Sequence, residues 1–178
     1  MRDRLIELLR QLSYRRRRVV LASGRESDFY VDGKQTTLNA EGAWLVGNLV
    51  FDALLPEVQG VGGLVVGADP IAAATAAVSY SRGRPVHAFL VRKEAKGHGT
   101  GRFVEGRENL PDGTAVCIVE DTTTTGASLL QAVDRAEAEG LRVVQCLTIV
   151  DREEGAAAAL EARGFALTRL VLRRELEA

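Results

Sequence analysis

The chain has 178 residues, 46% hydrophobic and 26% charged, with 23 basic and 24 acidic side chains and a formal net charge of -1. These proportions are those of an ordinary folded domain, one domain spanning 1–178, and they exclude disordered, collagen-like and membrane-spanning classes. The near balance of charge removes any global attraction to nucleic acid or an anionic membrane, so an anion site has to be local. The start, MRDRLIELLR, has charges where an export signal needs an apolar run, which gives the expectation of a cytoplasmic protein. Cys117 and Cys146 lie in apolar runs and read as buried thiols in a reducing compartment.

In chain order, Leu5, Ile6, Leu8, Leu9 and Leu12 have helical spacing and predict an amphipathic helix ending before the run Arg15 to Arg18. That run is either a solvated face, the commoner case, or a phosphate or nucleic-acid patch. The segment from Ser23 to Lys34 has no clear period and reads as extended chain beside a loop. Asn39 is a predicted N-cap for a helix carrying Trp44, Leu45, Leu49, Phe51 and Leu55 and stopped by Pro56. An alternation follows, with predicted strands at 61–66, 85–91, 114–119, 141–150 and 165–172, and predicted helices at 71–80, 128–139 and 152–163. Strands alternating with helices of this length imply an α/β fold with a mainly parallel open sheet flanked by helices.

In such sheets ligands bind at the carboxyl ends of the strands. In VCIVEDTTTTGASLL an apolar strand runs into Glu120 and Asp121, then Thr122, Thr123, Thr124, Thr125, Gly126, Ala127 and Ser128, then a helix. Backbone N–H groups at a helix N-terminus, hydroxyl donors and a glycine make an anion cradle. No lysine follows Gly126, so it is not a Walker loop. Two carboxylates ahead of a phosphate site suit the hydroxyls of a phosphorylated sugar. In RKEAKGHGTG, Arg92, Lys93, Lys96 and His98 follow a buried strand, and glycines at alternate positions predict a lid that orders on ligand binding.

The acid pair with its threonines resembles the ribose-phosphate signature of type I phosphoribosyltransferases, which attach phosphoribose from phosphoribosyl pyrophosphate (PRPP) to a base. RKEAKGHG resembles the catalytic loop of the orotate phosphoribosyltransferase family, and the likeness spans essentially the whole chain. It implies a Rossmann-like type I fold with a small N-terminal hood over about residues 1–38. It implies transfer of phosphoribose to orotate in UMP biosynthesis, a pentosyltransferase activity, with magnesium carried mainly by PRPP rather than by direct protein ligands. By the same resemblance Arg92, Lys93, Lys96 and His98 serve catalysis and PRPP, and residues 120–128 bind PRPP. Thr124, Arg152 in DREEG, and Phe29 and Tyr30 in SGRESDFYVD are the expected orotate contacts. The family works as a homodimer with shared sites, so a second copy is the expected protein partner, with no nucleic acid and no membrane.

The chain departs from many members at two points: Ala22 stands where they have lysine, and GADP (67–70) where they have a Tyr-Lys pair. Both are expected to mark a subtype lacking two cationic PRPP contacts. The competing readings are a phosphoribosyltransferase for another base, a PRPP-binding regulator, and a plain Rossmann-like nucleotide module.

Overall fold

The computed structural model describes residues 1–16, 19–20, 26–27, 29–94 and 103–177. The first helix, α1 (Arg2–Leu12), buries Leu5, Leu8 and Leu9, as its apolar spacing requires. Four two-residue strands follow. β1 (Tyr14–Arg15) pairs antiparallel with β4 (Tyr30–Val31), and β2 (Val19–Val20) with β3 (Glu26–Ser27). Apolar periodicity gives no sign of α2 (Gly33–Thr37), which begins where the Asp32 side chain accepts from the Lys34 N–H. In α3 (Ala40–Ala53) the expected cap is in place, Asn39 Oδ1 accepting from Gly42 N at 3.1 Å.

The α/β alternation then runs β5 (Gly60–Leu64), α4 (Asp69–Ser81), β6 (His87–Val91), β7 (Val104–Glu105), β8 (Ala115–Thr123), α5 (Ala127–Ala138), β9 (Arg142–Asp151), α6 (Ala156–Glu161), β10 (Leu167–Leu172) and α7 (Arg173–Glu177). The six-stranded sheet has the order β10-β9-β8-β5-β6-β7. Every neighbouring pair is parallel except β6 and β7. From β5 the chain crosses outward to β6, then returns to build β8, β9 and β10 on the other side of β5. The crevice between the carboxyl ends of β5 and β8 is therefore the topological switch point, where such sheets bind ligands.

Strand alternation divides the core. Cys117 and Val119 face a cluster with Leu5, Leu9, Val46 and Ile71 from α1, α3 and α4, while Val116 and Ile118 face Leu129, Val133 and Leu160 from α5 and α6. Both cysteines are buried free thiols.

Two element boundaries differ from expectation by four residues each, the other predicted strand and helix ends by two at most. The strand predicted to stop at Val119 continues to Thr123, because β9 keeps offering ladder partners: Glu120 opposite Thr148, Thr122 opposite Val150, Thr123 opposite Asp151. Polar side chains do not end a strand whose backbone is still paired. The helix predicted from Arg152 starts instead at Ala156, since Asp151 Oδ1 accepts from Glu153 N at 2.8 Å. Glu153 (φ 59°) and Gly155 (φ 110°) then hold left-handed conformations that no α-helix contains.

Three of the five residues of β5 are glycine. A Cβ on Gly63 would lie 2.1 Å from the carbonyl oxygen of Val119 and 2.9 Å from Ala68 Cβ. Gly63→Ala is expected to lower unfolding free energy by about 1–3 kcal/mol through overpacking, read from the urea midpoint of each protein; an unchanged midpoint would show that β5 and β8 can separate freely.

Candidate active site

Four loops meet at the carboxyl edge of the sheet. Because neighbouring strand residues point to opposite faces, Glu120 and Asp121 occupy different surroundings. Asp121 is 9% exposed and lies between two glycines. A Cβ on Gly33 would come within 2.8 Å of Asp121 Cβ, and one on Gly67 within 2.5 Å of Oδ1. Lys34 Nζ sits 3.8 Å from Asp121 Oδ2 and 2.8 Å from Asp32 Oδ1. Burial pushes the Asp121 carboxyl above the usual aspartate range, and the Lys34 charge opposes that push.

Glu120 faces the α5 side. Burial first, and the neighbouring Asp121 charge second, raise its carboxyl to about 7, against the pull of the Ser128 and Thr123 hydroxyls and of Lys93. The expected phosphate cradle follows directly. Gly126 (φ 82°) turns the chain into α5, and no side chain caps that helix. Thr125 and Ala127 are exposed, Thr124 and Ser128 half-buried. The N–H groups of the first turn, the positive end of the helix dipole and two hydroxyls thus converge at one mouth, which is an anion-binding arrangement.

The β9 loop is docked onto this cradle: Arg152 N donates to Thr123 O at 3.0 Å and Ala156 N to Thr124 O at 3.1 Å. The structure thereby places Thr124 beside the Arg152 segment. Arg152 itself is 4% exposed; its guanidinium lies 4.3 Å from the centroid of the Phe29 ring and its Nη2 is 2.8 Å from Glu154 Oε1. The Phe29 ring is 2% exposed, stacked on Tyr14 and approached by Arg173 as well as by Arg152. Tyr30 is half-buried.

On the far side of β5, Arg92 and Lys93 leave the end of β6 over a cleft of about 440 Å³ that also involves Val65, Asp69 and Glu105. Arg92 Nε pairs with Glu105 Oε1 at 2.9 Å. Both stems of the basic segment are gripped by α5 and the residue after it. Arg135 donates to the Arg92 carbonyl and lies 4.5 Å over the Phe103 ring, while Glu139 accepts from the N–H groups of Phe103 and Val104. Lys96 and His98, like Ala22, lie outside the described residues, as do Arg17 and Arg18 of the arginine run; Arg15 is spent on the carbonyls of Gln11 and Tyr14.

Sequence reasoning missed Lys34, Glu154, Arg135 and Glu139. Asp-Gly-Lys at 32–34 was a usable signal for the first, since an N-cap acid two residues before a lysine marks a short helix start; nothing in the sequence marked the other three.

No family model matches the sequence. The chain is 48% identical over 176 residues to the orotate phosphoribosyltransferase of Sorangium cellulosum, an alignment covering 98% of this chain and 92% of that protein. The chain belongs to the orotate phosphoribosyltransferase family. Crystal structures agree. The Mycobacterium tuberculosis orotate phosphoribosyltransferase in complex with Fe(III) dicitrate matches with a TM-score of 0.86 at 43% identity, 99% of each chain being covered. In complex with PRPP the match is 0.82 at 40% identity, again over 99% of each chain. The mainly parallel α/β sheet expected from the alternation of elements is thus the type I phosphoribosyltransferase fold shared by this orotate phosphoribosyltransferase family.

The raised Glu120 carboxyl has a stability consequence. Between the ordinary glutamate value of 4.5 and about 7 the folded chain holds a proton that the unfolded chain has released. This group's contribution therefore favours folding at low pH and is lost as pH rises towards 7. In the ligand-free protein, Glu120→Gln is expected to remove that loss, so the wild type should weaken relative to the variant from about pH 5 to about pH 7.5 in urea titrations. Parallel pH profiles would show that Glu120 titrates normally.

Proposed function

We propose that this chain transfers the phosphoribosyl group of PRPP to orotate, giving orotidine 5'-monophosphate and pyrophosphate in UMP biosynthesis. The observation that carries the reading is the acid pair at the end of β8 running straight into the open N-terminus of α5, with the Arg152 loop bound to the same two threonines.

In this reading the residues from Thr124 to Ser128 take the 5'-phosphate, with Thr122 and Thr123 holding the strand end beneath it. Glu120 and Asp121 accept hydrogen bonds from the ribose hydroxyls. Arg152 takes the orotate carboxylate with its planar fork, and Phe29 fixes the guanidinium plane. Glu154, which pairs with Arg152 in the ligand-free chain, shares or yields that fork to the substrate. Thr124 and Tyr30 flank the base. The bond between the anomeric carbon and the pyrophosphate oxygen breaks, and the orotate ring nitrogen bonds to that carbon as its own proton is given up to solvent. Positive charge developing on the ribose lies near Glu120 and Asp121. Arg92, Lys93, Lys96 and His98 counter the charge on the departing pyrophosphate, and Lys96 or His98 supplies it with a proton.

Among the described residues no group of three or more His, Cys, Asp or Glu side chains could cage a metal. The donor set fits magnesium carried on PRPP oxygens, as expected of an ion that keeps its waters and uses few carboxylates. When bound, magnesium neutralises diphosphate charge. The active form is a homodimer with shared sites, and the exposed apolar side chains of Leu38, Trp44, Val66 and Tyr80 support it. We place the enzyme in the cytoplasm, where its two buried thiols stay reduced; no described helix is long and apolar enough to cross a membrane.

Orotate absorbance followed with PRPP and magnesium is expected to fall, to need both, and to stay constant with Lys96→Ala; uracil, adenine and hypoxanthine should not be consumed. Binding of PRPP without turnover of any of these bases would overturn the reading. Arg152→Lys, which loses the bidentate fork, is expected to raise the KM for orotate roughly 10- to 100-fold, the equivalent of a charged hydrogen bond, with the KM for PRPP nearly unchanged. Mixed dimers of Lys96→Ala and Asp121→Ala chains should recover activity that neither parent has; inactive hybrids would argue against a shared site.

A further inference from the structure

Asp121 is the most confined of the site carboxylates. Gly33 closes on its Cβ and Gly67 on its Oδ1, each so near that a side chain there would have to displace the Asp121 carboxylate. Among the described residues it is also the member of the acid pair with a cation from another element within ion-pair reach: Lys34 Nζ, at 3.8 Å from Oδ2. Lys34 is brought there by a specific construction. Asp32 caps α2 by accepting from the Lys34 N–H and also holds the Lys34 ammonium at 2.8 Å, while Gly33 lets the first turn of α2 lie directly on β8.

We propose that Lys34 is a positioning residue for the reaction, holding the Asp121 carboxylate charged and oriented at the carboxyl end of β8 so that it can receive the ribose hydroxyls. The inference rests on the reading of Asp121 as a ribose anchor. Lys34 acts through Asp121 and not by touching PRPP.

The charge balance around Asp121 needs such a group. On its own strand Glu120 is adjacent and acidic; on the α2 side Asp32 adds a second negative neighbour; the loop before α4 offers Gly67 and, two residues on, the acid Asp69. Lys93 faces Glu120, and Tyr30 faces Lys34. Burial favours the neutral acid, and Lys34 is the cation that opposes it at Asp121.

The test follows the Asp121 carboxyl titration by carbon-13 NMR in the ligand-free protein, and PRPP dependence of turnover as a function of pH, for Lys34→Met, Lys34→Arg, Asp121→Asn and the double variant Lys34→Met with Asp121→Asn. Lys34→Met is expected to move the Asp121 titration and the acidic limb of kcat/KM for PRPP to higher pH. It should also weaken PRPP about tenfold, a change of 1.4 kcal/mol, with Lys34→Arg restoring most of both. Thermal melts establish that each variant is folded, and Lys34→Gln replaces Lys34→Met if the latter is not. In the Asp121→Asn background the loss of Lys34 should cost little more, because partners in one interaction are not additive. An unmoved Asp121 titration overturns the inference, and so does a full additive loss in the double variant, which would make Lys34 a direct PRPP contact. The NMR arm needs no turnover, so a wild type that ignores orotate would sink the proposed function while leaving this reading to be judged by the titration.

Discussion

Consecutive residues of a β-strand cannot share a face, and at the end of β8 this places two carboxylates on opposite sides of one sheet edge. Glu120 and Asp121 are one bond apart in sequence yet have different neighbours: Lys93 and the start of α5 for the first, Lys34, Gly33 and Gly67 for the second. Each is buried enough to resist ionisation, and each has a cation on its own side to counter that resistance. A sugar ring lying across the strand end would meet one carboxylate from either face, which two acids on one helix face could not offer.

The same strand end ties the remaining loops together. Thr123 and Thr124 lend their carbonyls to the Arg152 segment, and α5, which begins at the cradle, reaches at its other end to both stems of the basic segment through Arg135 and Glu139. One rigid helix thus connects the cradle to the mounting of the basic segment. The glycines of β5 allow this edge to close, since a side chain at Gly63 would press on the strand that carries the acid pair.

The alternation of strands and helices was legible because buried parallel strands and amphipathic helices leave strong periodic signals, and the cradle was legible because Glu-Asp-Thr-Thr-Thr-Thr-Gly is an unusual composition. The strand end was misjudged at Val119, since polarity was taken for a loop where backbone pairing with β9 decides. The helix at Arg152 was misjudged because an alanine run after it has helical propensity, whereas the turn set by Asp151 and the positive φ of Glu153 and Gly155 are conformational facts with weak sequence traces. The burial of Phe29 between Tyr14 and two arginines depends on a strand pairing and a C-terminal helix distant in sequence. Glu154, Arg135 and Glu139 were invisible for the same reason: their partners are chosen by the fold.

The helix α2 has five residues, too few to persist in water by its own hydrogen bonds. It stands because it packs on α1, α3, α4 and β8, with the Ser13 and Thr36 hydroxyls hydrogen-bonded to each other at 2.6 Å. Folding of this one turn brings Lys34 and Gly33 to Asp121 together. A helix–coil equilibrium is thereby linked to the surroundings of a carboxylate on another element. Any ligand that engages the ionised carboxylate draws on the folded turn, so amide protection along α2 becomes a thermodynamic report of occupancy at an atom on a different element.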